Sequence, residues 1–176
     1  MSIKIKSARL SFPSIFNTAT FGGEDTGKFE ATFILDKKDH ADVIKEIQTE
    51  IARLQKDELK GKIPADKICL KDGDESDRAE FAGKYTIKAS TKKRPLVINR
   101  DKTPIVEQDN VIYAGCYVNG IISLWAQNNQ YGKRINGQLD GVQFVRDGEP
   151  FSDNSVGVDA FDAFGDDDDT DTAFLN

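Results

Sequence analysis

The sequence predicts a mainly β domain with one substantial helix, followed by an acidic segment of low complexity. Three observations lead there. Apolar and polar residues alternate with the two-residue period of strands over 28–35, 84–90 and 115–126. A single stretch, Ile44, Ile47, Ile51 and Leu54, repeats at helical spacing. After Phe151 the chain becomes Asp, Gly, Ala, Ser and isolated Phe, which cannot bury enough apolar surface to fold alone.

Composition sets the outer bounds. A chain of 176 residues, 38% hydrophobic and 31% charged, suits one domain with an ordinary core plus a solvated segment. No apolar run approaches the roughly 20 residues that span a bilayer, so no membrane association is expected. Met1–Lys6 alternates Ile with Lys and lacks the apolar stretch of a signal peptide, which points to the cytoplasm. Cys69 and Cys116 have no metal-ligand spacing and His40 is the single histidine, so no metal or cofactor is expected. Two buried reduced thiols are expected rather than a disulfide.

The net charge of −6 is unevenly placed. Residues 153–176 carry eight acids, among them Asp166, Asp167, Asp168 and Asp169, and no Lys or Arg. Without those eight, 22 acids face 24 bases, so the body is +2. The expected division is a domain over 1–152 and a flexible acidic tail over 153–176, the latter a segment for interaction.

In chain order, residues 1–12 alternate in two phases: Ile3 and Ile5 on one face, then Ala8, Leu10 and Phe12 on the other. A bulged or strongly coiled first strand produces such a slip. Residues 14–27 read as a glycine-rich loop whose Phe16 and Phe21 either fold back on the core or clamp a base. Residues 28–35 form a second strand, with Phe29, Ala31, Phe33 and Leu35 on one face. Asp39 is the expected N-cap of the helix, Asp42 lies in its first turn, and Gly61 and Pro64 stop it. The mixed charges opposite the apolar stripe put that helix over a sheet.

Residues 70–80 hold Asp72, Asp74, Glu75, Asp77 and Glu80, without the register of a calcium-binding loop. They read as a solvated acidic turn, against a divalent-metal or nuclease carboxylate site. Over 84–102 the balance reverses: Lys84, Lys88, Lys92, Lys93, Arg94, Arg100 and Lys102 face Asp101 alone. Tyr85, Ile87 and Ala89 share one strand face, which turns Lys84, Thr86, Lys88 and Ser90 the other way. A cationic face of this kind is the electrostatic footprint of a nucleic-acid site, or else an ordinary solvated surface.

The hairpin over 115–144 is the centre of the site. Tyr117, Asn119, Ile121, Ser123 and Trp125 share a face, and a polar link over 128–132, longer than two residues, brings Tyr131, Lys133 and Arg134 beside it. Aromatic rings among cations suit single-stranded nucleic acid, because unpaired bases stack on rings while Lys and Arg follow the phosphates. The competing assignment packs Trp125 and Tyr117 under a loop.

Gly115-Cys-Tyr-Val-Asn, Ser123-Leu-Trp-Ala, Tyr131-Gly-Lys, Leu139-x-Gly-Val-Gln and Arg146-Asp-Gly-Glu-Pro, in that order, resemble a family of bacteriophage single-stranded-DNA-binding proteins. Upstream, Asp72-Gly-Asp, the Tyr85 strand with Ala89, and Arg94-Pro95 are similar to the same family. The likeness covers nearly the whole chain. It implies a five-stranded OB-type barrel with a long helix insertion, an acidic tail, and single-stranded DNA lying across the sheet face during phage replication or recombination. The end of the tail, Ala173-Phe174-Leu175-Asn176, departs from a terminal aromatic or Pro-Phe pair.

The expected function is therefore sequence-independent, non-enzymatic binding of single-stranded DNA. Its expected site is Lys84, Lys88, Lys92, Lys93, Arg94, Arg100, Tyr117, Trp125, Tyr131, Lys133 and Arg134. The tail, through Asp166–Asp169 and Phe174, either competes for the DNA groove or docks phage or host replication and recombination proteins. Homo-oligomerisation is left open. A non-enzymatic adaptor, a general or double-stranded DNA binder and a metal-dependent nuclease are the alternatives. About five neutralised phosphates would set a salt slope near −3.5.

Overall fold

The computed structural model describes residues 2–151; the expectations placed on 153–176, including Asp166, Asp167, Asp168, Asp169 and Phe174, lie outside the described residues. The chain runs β1 (Ser2–Ser14), β2 (Thr20–Phe21), β3 (Glu24–Asp25), β4 (Phe29–Asp36), α1 (Ala41–Asp57), β5 (Leu70–Asp72), β6 (Lys84–Thr91), β7 (Leu96–Ile98), β8 (Tyr117–Asn129) and β9 (Gly132–Arg146).

Five of these strands close a barrel. β1 pairs antiparallel with β4 and with β8, β4 with β6, and β8 with β9. The ring closes where β6 and β9 run parallel, Ala89 opposite Gly137. That connectivity is the OB-type Greek key that the sequence resemblance implies. Closure needs a glycine: a Cβ on Gly137 would stand 2.7 Å from the Lys88 carbonyl oxygen.

The interior is filled by the apolar half of each alternation, including Phe33, Leu35, Ile87, Val118, Ile122 and Leu139. The phase slip expected in β1 is present as two irregularities. Ser7 (φ 52°) shifts the register against β8 between Ile5 and Ala8, so both apolar pairs, Ile3/Ile5 and Ala8/Leu10, point inward. The displaced Ser7 N–H is satisfied by Asn119 Oδ1 at 2.9 Å. Phe12 (φ 48°) sits in a second shift against β4 and is turned outward, 49% exposed, rather than joining Ala8 and Leu10.

The helix buries its expected stripe, Ile44, Ile47, Ile51 and Leu54, and packs against β1 and β8. Two details differ from expectation. Glu50, on the other face, is also buried, because Arg53 grips it through two bonds of 2.7 and 2.9 Å. His40 rather than Asp39 is the N-cap residue, and it makes no side-chain cap bond. Its ring ties two strands instead: Nδ1 accepts the Asp36 N–H at 2.9 Å, and Nε2 lies 2.9 Å from the Lys6 carbonyl oxygen.

The acidic 70–80 segment is exposed over residues 74–79, as a solvated turn requires, and is tethered at its start. Lys37 Nζ holds Asp72 at 2.7 Å and Asp74 at 2.6 Å, and Asp74 Oδ1 accepts the Gly83 N–H. Residues 73–83 thereby form a strap over β6 that brings Arg78 4.7 Å from the Phe12 ring. The segment after β9, residues 148–151, is clasped as well. Gly148 N–H donates to the Tyr113 hydroxyl, Phe151 N–H to the Ala114 carbonyl, and Arg9 to the Gly115 and Glu149 carbonyls. Both thiols are free, but only Cys116 is buried as expected while Cys69 is half-buried; desolvation pushes Cys69 up to about 11 and Cys116 upward.

Candidate nucleic-acid interface

Strand parity turns Glu30, Thr32, Ile34 and Asp36 of β4 outward, opposite Ser90, Lys88, Thr86 and Lys84 of β6. A concave groove occupies one end of this face. It is walled by β1 at Phe12 and Ser14, floored by Thr32, Thr86 and Ser90, and bounded beyond β6 by Trp125, Gln127, Arg134 and Asn136 of the β8–β9 hairpin. Those hairpin residues share one side because Gln127 pairs with Arg134 and Trp125 with Asn136.

Two rings stand open in the groove. Trp125 is 45% exposed and Phe12 is 49% exposed. The Arg78 guanidinium lies 4.7 Å from the centre of the Phe12 ring. Phe81 of the strap, 7% exposed, closes the groove at that end.

Four cations line the same concavity: Lys28, Lys71, Lys88 and Arg134. Lys88 stands 3.3 Å from the Glu30 carboxylate, a partly open pair of modest strength. Lys71 donates to the Ala65 carbonyl at 3.0 Å. Partial burial holds its ammonium below the ordinary lysine range, with Asp66 working against that shift and Arg134 adding a smaller share to it.

Loops flank the groove on both sides. The 15–28 connection carries the β2–β3 hairpin, with Phe21 84% exposed at its tip, while Phe16 packs against the core. The β8–β9 turn is tighter than the sequence suggests: Asn129 pairs with Gly132, leaving Gln130 and Tyr131 between them. Gly132 at φ 104° makes that turn possible, and Tyr131 projects from it 79% exposed. In OB-type barrels this sheet face and these two loops are where oligonucleotides are held.

The expected site residues are therefore dispersed. Lys88, Trp125 and Arg134 converge on the groove, with Tyr131 at the adjoining hairpin tip. Tyr117 begins β8, eight residues and about 26 Å from Trp125. The two rings do not form one platform. Tyr117 is held between Arg146 at 4.0 Å and Arg9 at 6.0 Å, in a cleft that also contains Lys84. Lys84 is bonded to Asp36 at 2.6 Å, which holds the Asp36 carboxyl well below the usual carboxylate range.

Lys133 points away to the Leu59 carbonyl at 2.9 Å. Arg94 clips the 15–28 loop, donating to the Phe16 carbonyl at 2.6 Å with its guanidinium 5.1 Å from the Phe29 ring. Lys92, Lys93 and Arg100 are exposed on turns outside the groove.

Phe12, Lys28, Lys71 and Arg78 are the residues that sequence reasoning left out. For Phe12 a signal existed, since the slip in β1 and Pro13 both mark a bulge where a ring can turn outward. For Lys71 and Arg78 none did, because the strap reaches β1 only through the fold.

Comparison with known proteins gives a consistent picture. The family model for the Enterobacter phage Enc34 ssDNA-binding protein matches residues 1–173. A putative protein p50 of Acyrthosiphon pisum secondary endosymbiont phage 1 is 36% identical over 174 residues, 92% of this chain and 93% of its own. The solved structure of the single-stranded DNA-binding protein from bacteriophage Enc34 in complex with ssDNA superimposes with a TM-score of 0.77 at 34% identity. That match covers 86% of this chain and 89% of the other. Gp2.5 of bacteriophage T7, a single-stranded DNA-binding protein, shares the fold at a TM-score of 0.53 and 14% identity, over 89% of this chain and 97% of its own.

Proposed function

Because the chain belongs to the phage single-stranded-DNA-binding protein family represented by the Enc34 protein, we propose that it binds single-stranded DNA without sequence preference in the groove across β1, β4 and β6. Bases stack on Trp125 and Phe12, while Lys28, Lys71, Lys88 and Arg134 take phosphates. Tyr131 and Phe21 close over the strand from the two loops. Lys92, Lys93 and Arg100 contribute long-range attraction. Arg94 and Lys133 hold loops in place, and Lys84 and Tyr117 belong to the far end of the face.

One observation carries this reading: two half-exposed rings and four cations share a single concavity. Each stacked base is worth about 1–3 kcal/mol, and an unpaired base offers the face that a duplex hides. Four groove cations correspond to a salt slope of about −2.8, since single strands contribute about −0.7 per phosphate. Titrating oligo(dT) at several salt concentrations tests it. A slope near zero removes the electrostatic half, and equal affinity for duplex and single strands removes the stacking half.

No chemistry is assigned to the acids: Asp72 and Asp74 converge on Lys37 rather than on open space. The protein acts in this reading as a non-enzymatic component of phage replication or recombination in the host cytoplasm. Among the described residues, no helix is long and apolar enough to cross a membrane. The chain divides into a binding domain over 1–152 and an acidic tail over 153–176. The tail either competes with DNA for the groove or docks partner proteins. Deleting 153–176 separates these two parts, because competition requires tighter binding of oligo(dT) after deletion.

A further inference from the structure

We infer that the cleft at the far end of the sheet face is a second phosphate subsite, which holds another stretch of the same single strand that occupies the groove. The inference rests on the groove as the first contact. At the centre of the cleft is the Tyr117 ring, with the Arg146 guanidinium 4.0 Å and the Arg9 guanidinium 6.0 Å from the ring centre. Tyr117 here orients an arginine rather than receiving a base.

Strand register joins the cleft to the groove. Thr86, which lines the groove, lies opposite Ile34, which lines the cleft. Ile34 lies opposite Arg9, Arg9 opposite Tyr117, and Tyr117 opposite Arg146. This row crosses β6, β4, β1, β8 and β9 in four steps of about 4.8 Å, or about 19 Å in all. A stacked strand rises about 3.4 Å per nucleotide, so about six nucleotides cover the distance, and an extended strand needs fewer.

Charge favours the β8–β9 side of the cleft. The acids that line it, Asp36, Asp39 and Asp42, belong to the corner between β4 and α1, and Lys84 holds Asp36 at 2.6 Å. β1 separates that corner from Tyr117 and Arg146, because the sheet order is β4, β1, β8, β9. Among the described residues, neither Arg9 nor Arg146 pairs with a carboxylate, whereas Arg53 is spent on Glu50. Arg9 donates to the Gly115 and Glu149 carbonyls, which fix its guanidinium without cancelling its charge. A guanidinium held against a ring keeps both its charge and its N–H donors, and a phosphate takes both.

Two contacts set apart in this way make binding depend on strand length. A strand too short to span them engages the groove alone. A longer one gains the second contact as an intramolecular event. The protein thereby favours extended exposed stretches over short gaps.

Oligo(dT) of about 4 and about 12 nucleotides, within the range that one OB-type fold occupies, tests this on the full-length protein. Affinity is read at several salt concentrations, by anisotropy for the labelled long strand and by its displacement for the short one. Arg146→Gln should raise the Kd of the long strand about fivefold and reduce the magnitude of its salt slope by about 0.7, with the short strand held within about twofold. Arg146→Lys, which keeps the charge, should return the slope to that of the parent. In the parent itself the slope should steepen by about 1.4 from the short strand to the long one, the share of two phosphates. That comparison keeps the test decisive should Arg146→Gln fail to fold. Equal slopes for both lengths in the parent, an Arg146→Gln loss of the same size at both lengths, or no loss at either would overturn the inference. Trp125→Ala should weaken both lengths alike, so a failure of the groove reading shows itself separately.

Discussion

Replacing Trp125 with alanine isolates stacking from charge. The indole is 45% exposed and lies outside the barrel interior, so its loss removes little of the core. On the DNA side, a stacked base is worth about 1–3 kcal/mol, which is roughly a 5- to 150-fold rise in Kd. The cations are untouched, so the salt slope should stay where it is. Fluorescence anisotropy of labelled oligo(dT) at several salt concentrations measures both quantities, with circular dichroism confirming the fold. Trp125→Phe should recover part of the loss, because a smaller ring still offers a face. A folded Trp125→Ala variant that binds within about twofold of the parent would refute the assignment of the indole as a stacking surface.

Other perturbations probe neighbouring parts of the same account. Arg134→Ala should reduce the magnitude of the salt slope by about 0.7, the share of one phosphate on a single strand. Glu30→Gln should tighten binding, since it releases Lys88 from its 3.3 Å partner and removes a negative charge from the groove; anisotropy reads both effects. Gly120→Ala should destabilise the barrel by about 1–3 kcal/mol in urea unfolding, because the new Cβ would stand 2.6 Å from the Phe33 ring in the core. The Asp36, Asp72 and Asp74 carboxyls are all held below the ordinary range, Asp36 by Lys84 and the other two by Lys37. Their stabilising effect is complete above the unfolded carboxylate value near 3.9 and is lost as pH falls through the depressed folded values. Asp36→Asn should flatten the acid limb of a stability–pH curve and leave the neutral region with a uniform offset.

Local pattern carried much of the fold. Alternation in 84–91 told the inward Ile87 and Ala89 from the outward Lys88, and the helical stripe gave α1 its buried face. The slip in β1 showed up as a change of phase, although only the backbone reveals that Ser7 absorbs it while Phe12 escapes outward. Closure of the barrel was not legible from periodicity, because the β6–β9 pairing joins residues 48 apart in sequence, Ala89 and Gly137. The site was legible in residue type more than in position. Charge counting treats every lysine alike, yet Lys84, Lys88 and Lys133 have partners of very different kinds. Strand parity gave Tyr117 and Trp125 the same face, but parity says nothing about the length of β8 between them or about the arginines that enclose Tyr117.

Trp125 is the only tryptophan in the chain, so its intrinsic fluorescence reports on the groove directly. Titration of the full-length protein with oligo(dT) should quench the emission saturably, with the same midpoint that anisotropy gives. A duplex of equal length should leave the emission nearly unchanged at the same concentrations. Emission indifferent to oligo(dT) while anisotropy shows it fully bound would place the strand elsewhere on the protein and contradict the groove.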